Sequence, residues 1–215
     1  MKIIAISDTH GQHHALKQLP AGDMLIHAGD ISRNGKENQV LDFLYWFAKQ
    51  DYQYKIFIAG NHDFFFERED ASYIQQLIPE DILYLNDSGI EIEGLNIWGS
   101  PVQPWFYDWA FNRARGTDIQ QHWDLIPAQT DLLITHGPPM GILDATVRRE
   151  HVGCAELMQT VEKIKPQAHV FGHIHEAYGR QQVNETTFIN ASVLNLHYQL
   201  TNAPVVFELE SKKGH

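Results

Sequence analysis

The sequence predicts an α/β fold in which two β-sheets pack against each other with helices on their outer faces. Three observations favour this class. Short, continuous apolar runs recur along the chain, as expected for strands that are buried on both faces. Strand, helix and strand follow each other at the length of a βαβ unit, which favours parallel strands. Later runs are shorter and separated by turn residues, as in antiparallel pairs.

The first part of the chain supplies the parallel unit. Strands are predicted at residues 2–6, 23–28 and 54–59, each of them an apolar run. Segment 38–50 places its apolar residues at helical spacing over three turns, which predicts a helix between the second and third strands.

Shorter strands are predicted at 82–85, 89–93 and 95–98, with Glu93 and Gly94 forming a hairpin turn. Buried strands follow at 131–135 and 168–171, and a helix at 153–165 is ended by Pro166. Strands at 178–183, 187–191 and 205–209 complete the pattern. Segment 101–117 lacks clear periodicity. No repeat or linker interrupts the chain, so a single domain spanning residues 1–215 is expected.

Composition limits the classes of function. The chain is 43% apolar and 20% charged, as ordinary soluble proteins are. No apolar run approaches the ~20 residues of a membrane helix, and the N-terminal run is too short for a signal peptide. We therefore expect a cytoplasmic protein without a membrane partner. The net charge of −11 argues against long nucleic acids as partners. The single cysteine, Cys154, excludes an internal disulfide and a cysteine-rich metal site.

Short motifs rich in Asp, Asn and His follow five of the predicted buried strands. Because parallel strands end at one edge of a sheet, the motifs are expected to meet there. Carboxylate, amide and imidazole groups bind hard or borderline divalent metals. Each motif alone is weak support, but together they predict a metal site, and their number suggests two metals. The motifs are Asp8-Thr9-His10, Gly29-Asp30, Gly60-Asn61-His62-Asp63, Thr135-His136-Gly137 and Gly172-His173-Ile174-His175.

Spacing within the motifs suggests how the ligands are shared. Asp8 and His10 are two residues apart, so their side chains lie on one face if the backbone there is extended. His173 and His175 repeat this spacing, and each can serve a different metal if the backbone turns. Asp30 is a candidate bridging ligand, because one carboxylate can share its charge between two cations.

The ordered motifs resemble those of the calcineurin-like metallophosphoesterases, and the match spans positions 3–192. Segments 99–109, 136–139, 151–154 and 169–176 look more specifically like the metallophosphoesterase-domain-containing branch, whose animal members act on cyclic nucleotides. One departure lies at 31–35, where an acid that many family members carry after the Gly-Asp pair is absent. This departure removes no metal ligand.

The resemblance implies a four-layer αββα sandwich, with two mixed sheets flanked by helices and a binuclear centre at the C-terminal ends of strands. Some animal members of the branch have Gly at the position of His173, so the full ligand set here implies a competent second site. Manganese is the expected metal, and iron, zinc or nickel also suit such donors. By position, one metal would take Asp8, His10, Asp30 and His175, and the other Asp30, Asn61, His136 and His173.

Such a centre predicts a phosphodiesterase that hydrolyses a small substrate, a nucleotide or cyclic nucleotide, by attack of a hydroxide held between two metals. His62 is expected to donate a proton to the leaving oxygen or to stabilise its charge, and Asp63 to orient or polarise His62. A role for His62 as a further metal ligand or as a supporting residue remains open.

Segment 104–113, which we call the aromatic segment, has five aromatic residues between Trp105 and Phe111. It can pack as a cap on the sheet. Alternatively, Trp105 and Phe106 stack on a nucleobase, while Asn112 and Arg113 contact phosphate.

Other functions remain possible on this sequence. The same centre would serve a phosphomonoesterase or a protein phosphatase, and a degenerate relative would be a non-catalytic binding scaffold. The role of His151, in pocket or structure, and the oligomeric state are open.

Overall fold

The computed structural model describes residues 1–211 and contains two mixed β-sheets. The strands in chain order are β1 Lys2–Ile6, β2 Met24–Ala28, β3 Tyr54–Ile58, β4 Ile82–Tyr84, β5 Ser88–Ile92, β6 Leu95–Ser100, β7 Gln103–Pro104, β8 Asn112–Arg113, β9 Leu132–Thr135, β10 Ala168–Phe171, β11 Gly179–Val183, β12 Thr186–Asn190 and β13 Val205–Glu208. The helices are α1 Glu37–Ala48, α2 Phe64–Arg68, α3 Ala71–Leu77, α4 Thr117–Trp123 and α5 Ala155–Ile164.

Both sheets have a parallel interior and at least one antiparallel strand at an edge. The first has the order β13-β1-β2-β3-β4, in which only β13 is antiparallel to its neighbour. The second has the order β11-β12-β10-β9-β6-β5, with β11 and β5 antiparallel to their neighbours. The parallel strands β1, β2, β3, β9 and β10 are the ones that precede the five motifs, and this arrangement brings the motifs together.

The fold has four layers, in the order helices, first sheet, second sheet and helices, and an apolar core lies between each pair of neighbouring layers. Alternate residues of the first sheet face the second sheet, where Ile26 and Ile56 pack with Ile134 and Val170. The opposite face of the first sheet packs against α1, α2 and α3, and the outer face of the second packs against α4 and α5. Because strand side chains alternate between faces, each central strand contributes to two cores, which explains its continuous apolar sequence. The predicted αββα arrangement is confirmed.

The hairpin between β5 and β6 forms as predicted. Ile92 pairs with Leu95, and the two residues between them, Glu93 and Gly94, have φ angles of 50° and 78°. These positive angles are those of a tight turn whose twist matches the flanking strands. Helix α5 likewise ends where predicted, because Lys165 adopts a left-handed conformation with φ of 53° directly before Pro166.

Three short helices were not predicted. Helix α2 consists of Phe64–Arg68 and begins with three consecutive phenylalanines, so its sequence shows no helical alternation of apolar and polar residues. Helix α3 has one clear local signal, the Asp70 side chain that accepts a hydrogen bond from the Ser72 amide at 2.8 Å. Segment 101–117 contains the small β7–β8 pair. Within residues 1–211, no helix is long and apolar enough to cross a membrane.

The buried histidine His169 makes the stability of the fold depend on pH. His169 on β10 is fully buried, and burial lowers its pKa from 6.5 to about 3. The imidazole is therefore protonated below about pH 6.5 in the unfolded chain but only below about pH 3 in the folded chain. Because the unfolded state binds this proton more readily, the free energy of unfolding decreases as pH falls from 6.5 to 3. For His169 alone this loss is about 2 kcal/mol between pH 7 and pH 5.

We expect His169→Gln to lose about 2 kcal/mol less stability than the parent between pH 7 and pH 5, because glutamine does not titrate. The measurement is urea unfolding of chelator-treated protein at both values of pH. The matched control is His197→Gln at an exposed position. Equal losses in parent and His169→Gln would contradict the assignment.

Candidate metal centre

The five motifs meet at one edge, between the two sheets. Backbone hydrogen bonds link their loops directly: the Asp8 amide donates to the Gly29 carbonyl, the His10 amide to the Asp30 carbonyl and the Gly172 amide to the His136 carbonyl, at 2.9–3.0 Å. The loops that follow β1 and β2 are therefore joined to each other, as are those that follow β9 and β10. This cross-linking fixes the side chains that the loops carry.

Four of the predicted ligands have left-handed backbone conformations. The φ angles are 54° at Asp8, 43° at His10, 57° at Asp30 and 68° at His173. Residues with a Cβ rarely adopt this region, and such strained positions concentrate at functional sites. The extended geometry considered for Asp8 and His10 is wrong. Their side chains converge because the backbone turns at both residues.

Two glycines allow the loops to approach the carboxylates. A Cβ on Gly172 would overlap the Asp8 carboxylate, and a Cβ on Gly60 would overlap the amide and carboxylate of Asp30. Any larger residue at either position would therefore displace a predicted ligand. The need for close approach explains why glycine stands in both motifs.

One group of ligand atoms comes from Asp8, His10 and His175, which lie within 4.8 Å of one another. The Nε2 atoms of His10 and His175 are 3.3 Å apart, and His175 Nε2 is 3.7 Å from Asp8 Oδ1. His10 Nε2 is also 3.5 Å from Asp30 Oδ2. The four residues assigned to the first metal by resemblance are thus brought together.

A second group surrounds His136. Its Nε2 atom lies 2.9 Å from Asn61 Oδ1 and 3.5 Å from Asp30 Oδ2. Asp30 therefore stands between the two groups, in contact with His10 on one side and His136 on the other. This is the position that a bridging carboxylate requires.

The hydrogen bonds of the imidazoles show that the donor set suits cations. His136 Nδ1 lies 3.0 Å from the Ala28 carbonyl, and His175 Nδ1 lies 3.1 Å from the Asn195 carbonyl. A carbonyl oxygen only accepts, so both Nδ1 atoms carry protons, and in the neutral rings the Nε2 lone pairs face other acceptors. Such facing acceptors are satisfied by a cation between them, and bonded outer nitrogens are usual for metal-binding histidines.

The charges of the site point the same way. Burial alone would raise the pKa of Asp30, but His136 and His10 hold it well below its usual range. Burial alone would lower the pKa of His136, but the Asp30 carboxylate raises it to about 9. Burial lowers the pKa of His10 to about 4. Asp30 is therefore a buried anion that needs a positive partner, and a divalent cation or a proton on His136 can supply it.

His173 lies beside this group. Its ring packs edge to face with both His136 and Phe106, at 5.0 and 5.1 Å between centroids. Its backbone amide donates to both Asp8 carboxylate oxygens at 3.0 and 3.1 Å. The backbone turns at His173, so His173 and His175 point toward different parts of the site. Unlike the other predicted histidine ligands, the His173 nitrogens fall outside the three-residue groups described above.

His62 stands at the open side of the site. Its amide donates to Asp30 Oδ1 at 2.8 Å, and its Nδ1 donates to the Arg33 carbonyl at 2.7 Å. The ring stacks on Trp109 with centroids 4.2 Å apart. With Nδ1 engaged, Nε2 is the nitrogen left for a ligand. Because His62, His10 and Asp30 also have ligand atoms within 4.8 Å of one another, a role in metal binding stays open.

The prediction that Asp63 orients His62 is wrong. The Asp63 carboxylate accepts hydrogen bonds from the amides of Ile31, Ser32 and Gly60 at 2.8–3.1 Å and from the Ser32 hydroxyl at 2.6 Å. These four bonds turn it away from the imidazole. The Arg33 carbonyl orients His62 instead, and Asp63 joins the loop after β2 to the loop after β3.

Two of the four predicted substrate residues have structural partners. The Asn112 amide donates to the carbonyls of Phe106 and Tyr107 at 3.3 and 2.8 Å, and so shapes the aromatic segment from within. Arg113 donates to His122 at 3.0 Å and lies 3.9 Å from Glu67. Neither lines the two cavities at the site, and their contact with phosphate stays a prediction. Both residues are close in sequence to aromatic residues that line the cavities, but their own side chains form hydrogen bonds within the fold.

A cavity of about 220 Å³ opens over the ligands and is lined by Asp30, Asn61, His62 and His173. Phe106, Trp109 and Tyr198 form aromatic parts of its wall. Of the predicted pair, Phe106 lines this cavity, whereas Trp105 lines a neighbouring cavity of about 440 Å³ that Phe106 and His173 also share.

Sequence analysis missed Trp109 and Tyr198. Trp109 lies in the aromatic segment, but nothing in the sequence distinguishes it from its neighbours. Tyr198, whose ring lies 4.9 Å from His10 and 5.2 Å from His175, comes from a loop with no motif, so only the fold reveals it.

Another histidine cluster lies outside the motifs. His13 and His14 each place Nε2 within 3.1 Å of the Asp42 carboxylate. His14 and Asp42 are exposed, and each imidazole can simply donate to the carboxylate. This cluster is therefore a useful control for the main site.

Together, the two-sheet fold and the ordered ligands define a class of protein. A family model described as calcineurin-like phosphoesterase matches residues 1–177. The chain belongs to this family, as its motifs predicted.

Two curated relatives are similar to the chain along almost its whole length. Metallophosphoesterase domain-containing protein 1 of Homo sapiens is 42% identical over 99% of this chain and 72% of its own length, and the Mus musculus protein of that name matches equally. Among solved structures, phosphopantetheinyl hydrolase (PptH) from Mycobacterium tuberculosis has a TM-score of 0.62 at 15% identity, covering 92% of this chain and 90% of that chain, a likeness of fold alone.

Asp30→Asn tests the metal centre. Removing the central negative charge should strip bound Mn²⁺ from the protein, whereas Asp42→Asn, which alters only the exposed cluster, should retain it. Metal per chain is measured by mass spectrometry after loading and gel filtration. Full occupancy in Asp30→Asn, or loss in Asp42→Asn, would refute the central position of Asp30.

Proposed function

We propose that this protein is a binuclear, metal-dependent phosphodiesterase that hydrolyses a small phosphodiester, a nucleotide or cyclic nucleotide. One observation carries the proposal. Buried carboxylate, amide and imidazole acceptors converge around Asp30, and His62 stands beside them with one ring nitrogen that bonds no group among residues 1–211. The proposed ligands are Asp8, His10, Asp30, Asn61, His136, His173 and His175, with two manganese ions as the preferred metals.

Two bound divalent cations supply charge neutralisation of the phosphoryl group and activation of a water molecule. The protein supplies position and proton control. Asp30 is held by the His62 amide, and Asp8 by the His173 amide, so both carboxylates keep their places without a substrate. Such preorganised groups need little rearrangement at the moment of reaction.

His62 is proposed to assist the leaving group. Donation from Nδ1 to the Arg33 carbonyl fixes the ring, and stacking on Trp109 prevents it from rotating away. Nε2 is then directed to the cavity. When the ring is the doubly protonated imidazolium, Nε2 gives its proton to the departing oxygen and the ring is left neutral, with its proton on Nδ1. Asp63 takes no part in this step, because its oxygens are bonded to loop amides and Ser32.

The shape of the site favours a small substrate. The metal cavity and its neighbour measure about 220 and 440 Å³, a range that suits ligands of nucleotide size. The net charge of −11 disfavours long nucleic acids. Aromatic side chains at the cavity wall can contact a nucleobase.

The Mn²⁺-loaded protein is expected to hydrolyse bis-p-nitrophenyl phosphate faster than p-nitrophenyl phosphate, and chelation should abolish both activities. A preference for the monoester would support a phosphomonoesterase instead. Absence of turnover with any divalent metal would favour a binding scaffold.

For His62→Ala, we expect kcat for a diester with an alkyl leaving group to fall about 10²- to 10⁴-fold, and kcat for a p-nitrophenyl diester to fall less. A poor leaving group needs the proton more. Metal content should stay at the parent level, and exposed His197→Ala serves as the control. Loss of metal in proportion to activity would show that His62 is a ligand rather than a proton donor.

A further inference from the structure

The neighbouring cavity of about 440 Å³, which we call the distal cavity, carries polar groups that the metal centre does not use. It joins the metal cavity at His173 and Phe106, and Trp105 adds a second aromatic ring to its lining. Arg115 and His151 also line it. Aromatic rings and polar nitrogens therefore face one space beside the proposed site of phosphoryl transfer.

His151 is held in place by a buried carboxylate. Its Nδ1 donates to Asp144 Oδ1 at 2.6 Å, and Asp144 is only 1% exposed. The other Asp144 oxygen accepts from the amides of Gly141 and Gly153 at 2.9 and 3.1 Å. The imidazole itself is 58% exposed. Among residues 1–211, no group bonds its Nε2 atom, so a fixed ring offers one free nitrogen to the cavity.

Arg115 is held in place by the turn at residues 152–153, next to His151. Its two terminal nitrogens donate to the carbonyls of Val152 and Gly153, both at 2.9 Å. A Cβ on Gly153 would overlap the Pro139 carbonyl, so the turn depends on glycine there. A guanidinium group has five N–H donors, and these two bonds leave three for a ligand. The turn thus positions both Arg115 and His151.

These groups specify the chemistry of a ligand. Aromatic rings favour a planar partner. The Arg115 N–H groups favour hydrogen-bond acceptors on its edge, and the Nε2 lone pair of the neutral His151 ring favours a donor there. His62, the proposed proton donor to the leaving oxygen, lines the metal cavity but not the distal cavity. A group in the distal cavity is therefore the one that keeps the phosphate after cleavage.

We propose that the distal cavity binds the retained half of the phosphodiester, a nucleoside or a similar group whose planar ring bears hydrogen-bond acceptors and a donor at its edge, and that Arg115 and His151 determine this specificity. The inference rests on the proposed function and narrows its substrate class. Trp105 and Phe106 contact the ring, and Arg115 and His151 bind its polar edge.

The first test compares two diesters with the same leaving group, thymidine 5′-(p-nitrophenyl phosphate) and methyl p-nitrophenyl phosphate. Arg115→Gln and His151→Gln should each lower the ratio of kcat/KM for the nucleoside substrate to that for the methyl substrate about tenfold. The controls are the exposed Arg180→Gln and His197→Gln, which should keep the parent ratio. An unchanged ratio in both test variants would overturn the inference.

The second test needs no turnover. Calorimetry on Mn²⁺-loaded protein compares thymidine 5′-phosphate with inorganic phosphate. The nucleotide should bind more tightly, and Arg115→Gln should weaken its binding about tenfold while changing phosphate binding little. Phosphate binding with no gain from the nucleoside would overturn the distal cavity and leave the proposed function standing. If neither ligand binds, both fail.

Discussion

The structure depends on keeping two carboxylates ionised in a buried place. Asp8 and Asp30 are 0% and 2% exposed, at the edge where the two sheets meet. Burial opposes their charge, yet the surrounding imidazoles hold the pKa of each below its usual value. An uncompensated buried charge costs several kcal/mol. The histidines and loop amides that converge here, and the cations we propose, all stabilise these two buried negative charges.

The fold provides a rigid frame for that charge. Central strands buried on both faces end beside the site, so the loops that carry the ligands start from fixed points. Left-handed backbone at Asp8, His10, Asp30 and His173 is tolerated because hydrogen bonds between loops hold it. Asp63 belongs to this frame. Its buried carboxylate joins two loops, and burial raises its pKa to about 6.

Sequence predicted the parts that depend on repeated local signals. Apolar runs predicted nearly every long strand, and the ligand motifs predicted side chains that the fold brings together. It missed α2, because three adjacent phenylalanines hide the helical period, and it missed Tyr198, which reaches the site from a distant loop. It also wrongly paired Asp63 with His62, and it did not predict the hydrogen-bond partners of Asn112 and Arg113. These three residues are close in sequence to proposed site residues, which suggested that they share a function with them. Tertiary hydrogen bonds set the direction of each side chain instead, and the sequence does not show these bonds.

In the proposed metal centre, Asp30 lies between two cations. Anomalous diffraction from crystals grown with Mn²⁺ tests it most directly. We expect two peaks about 3.5–4 Å apart, one on each side of the Asp30 carboxylate, with one near His10 and His175 and the other near Asn61 and His136. A single peak, or peaks only at the exposed cluster of His13, His14 and Asp42, would contradict it.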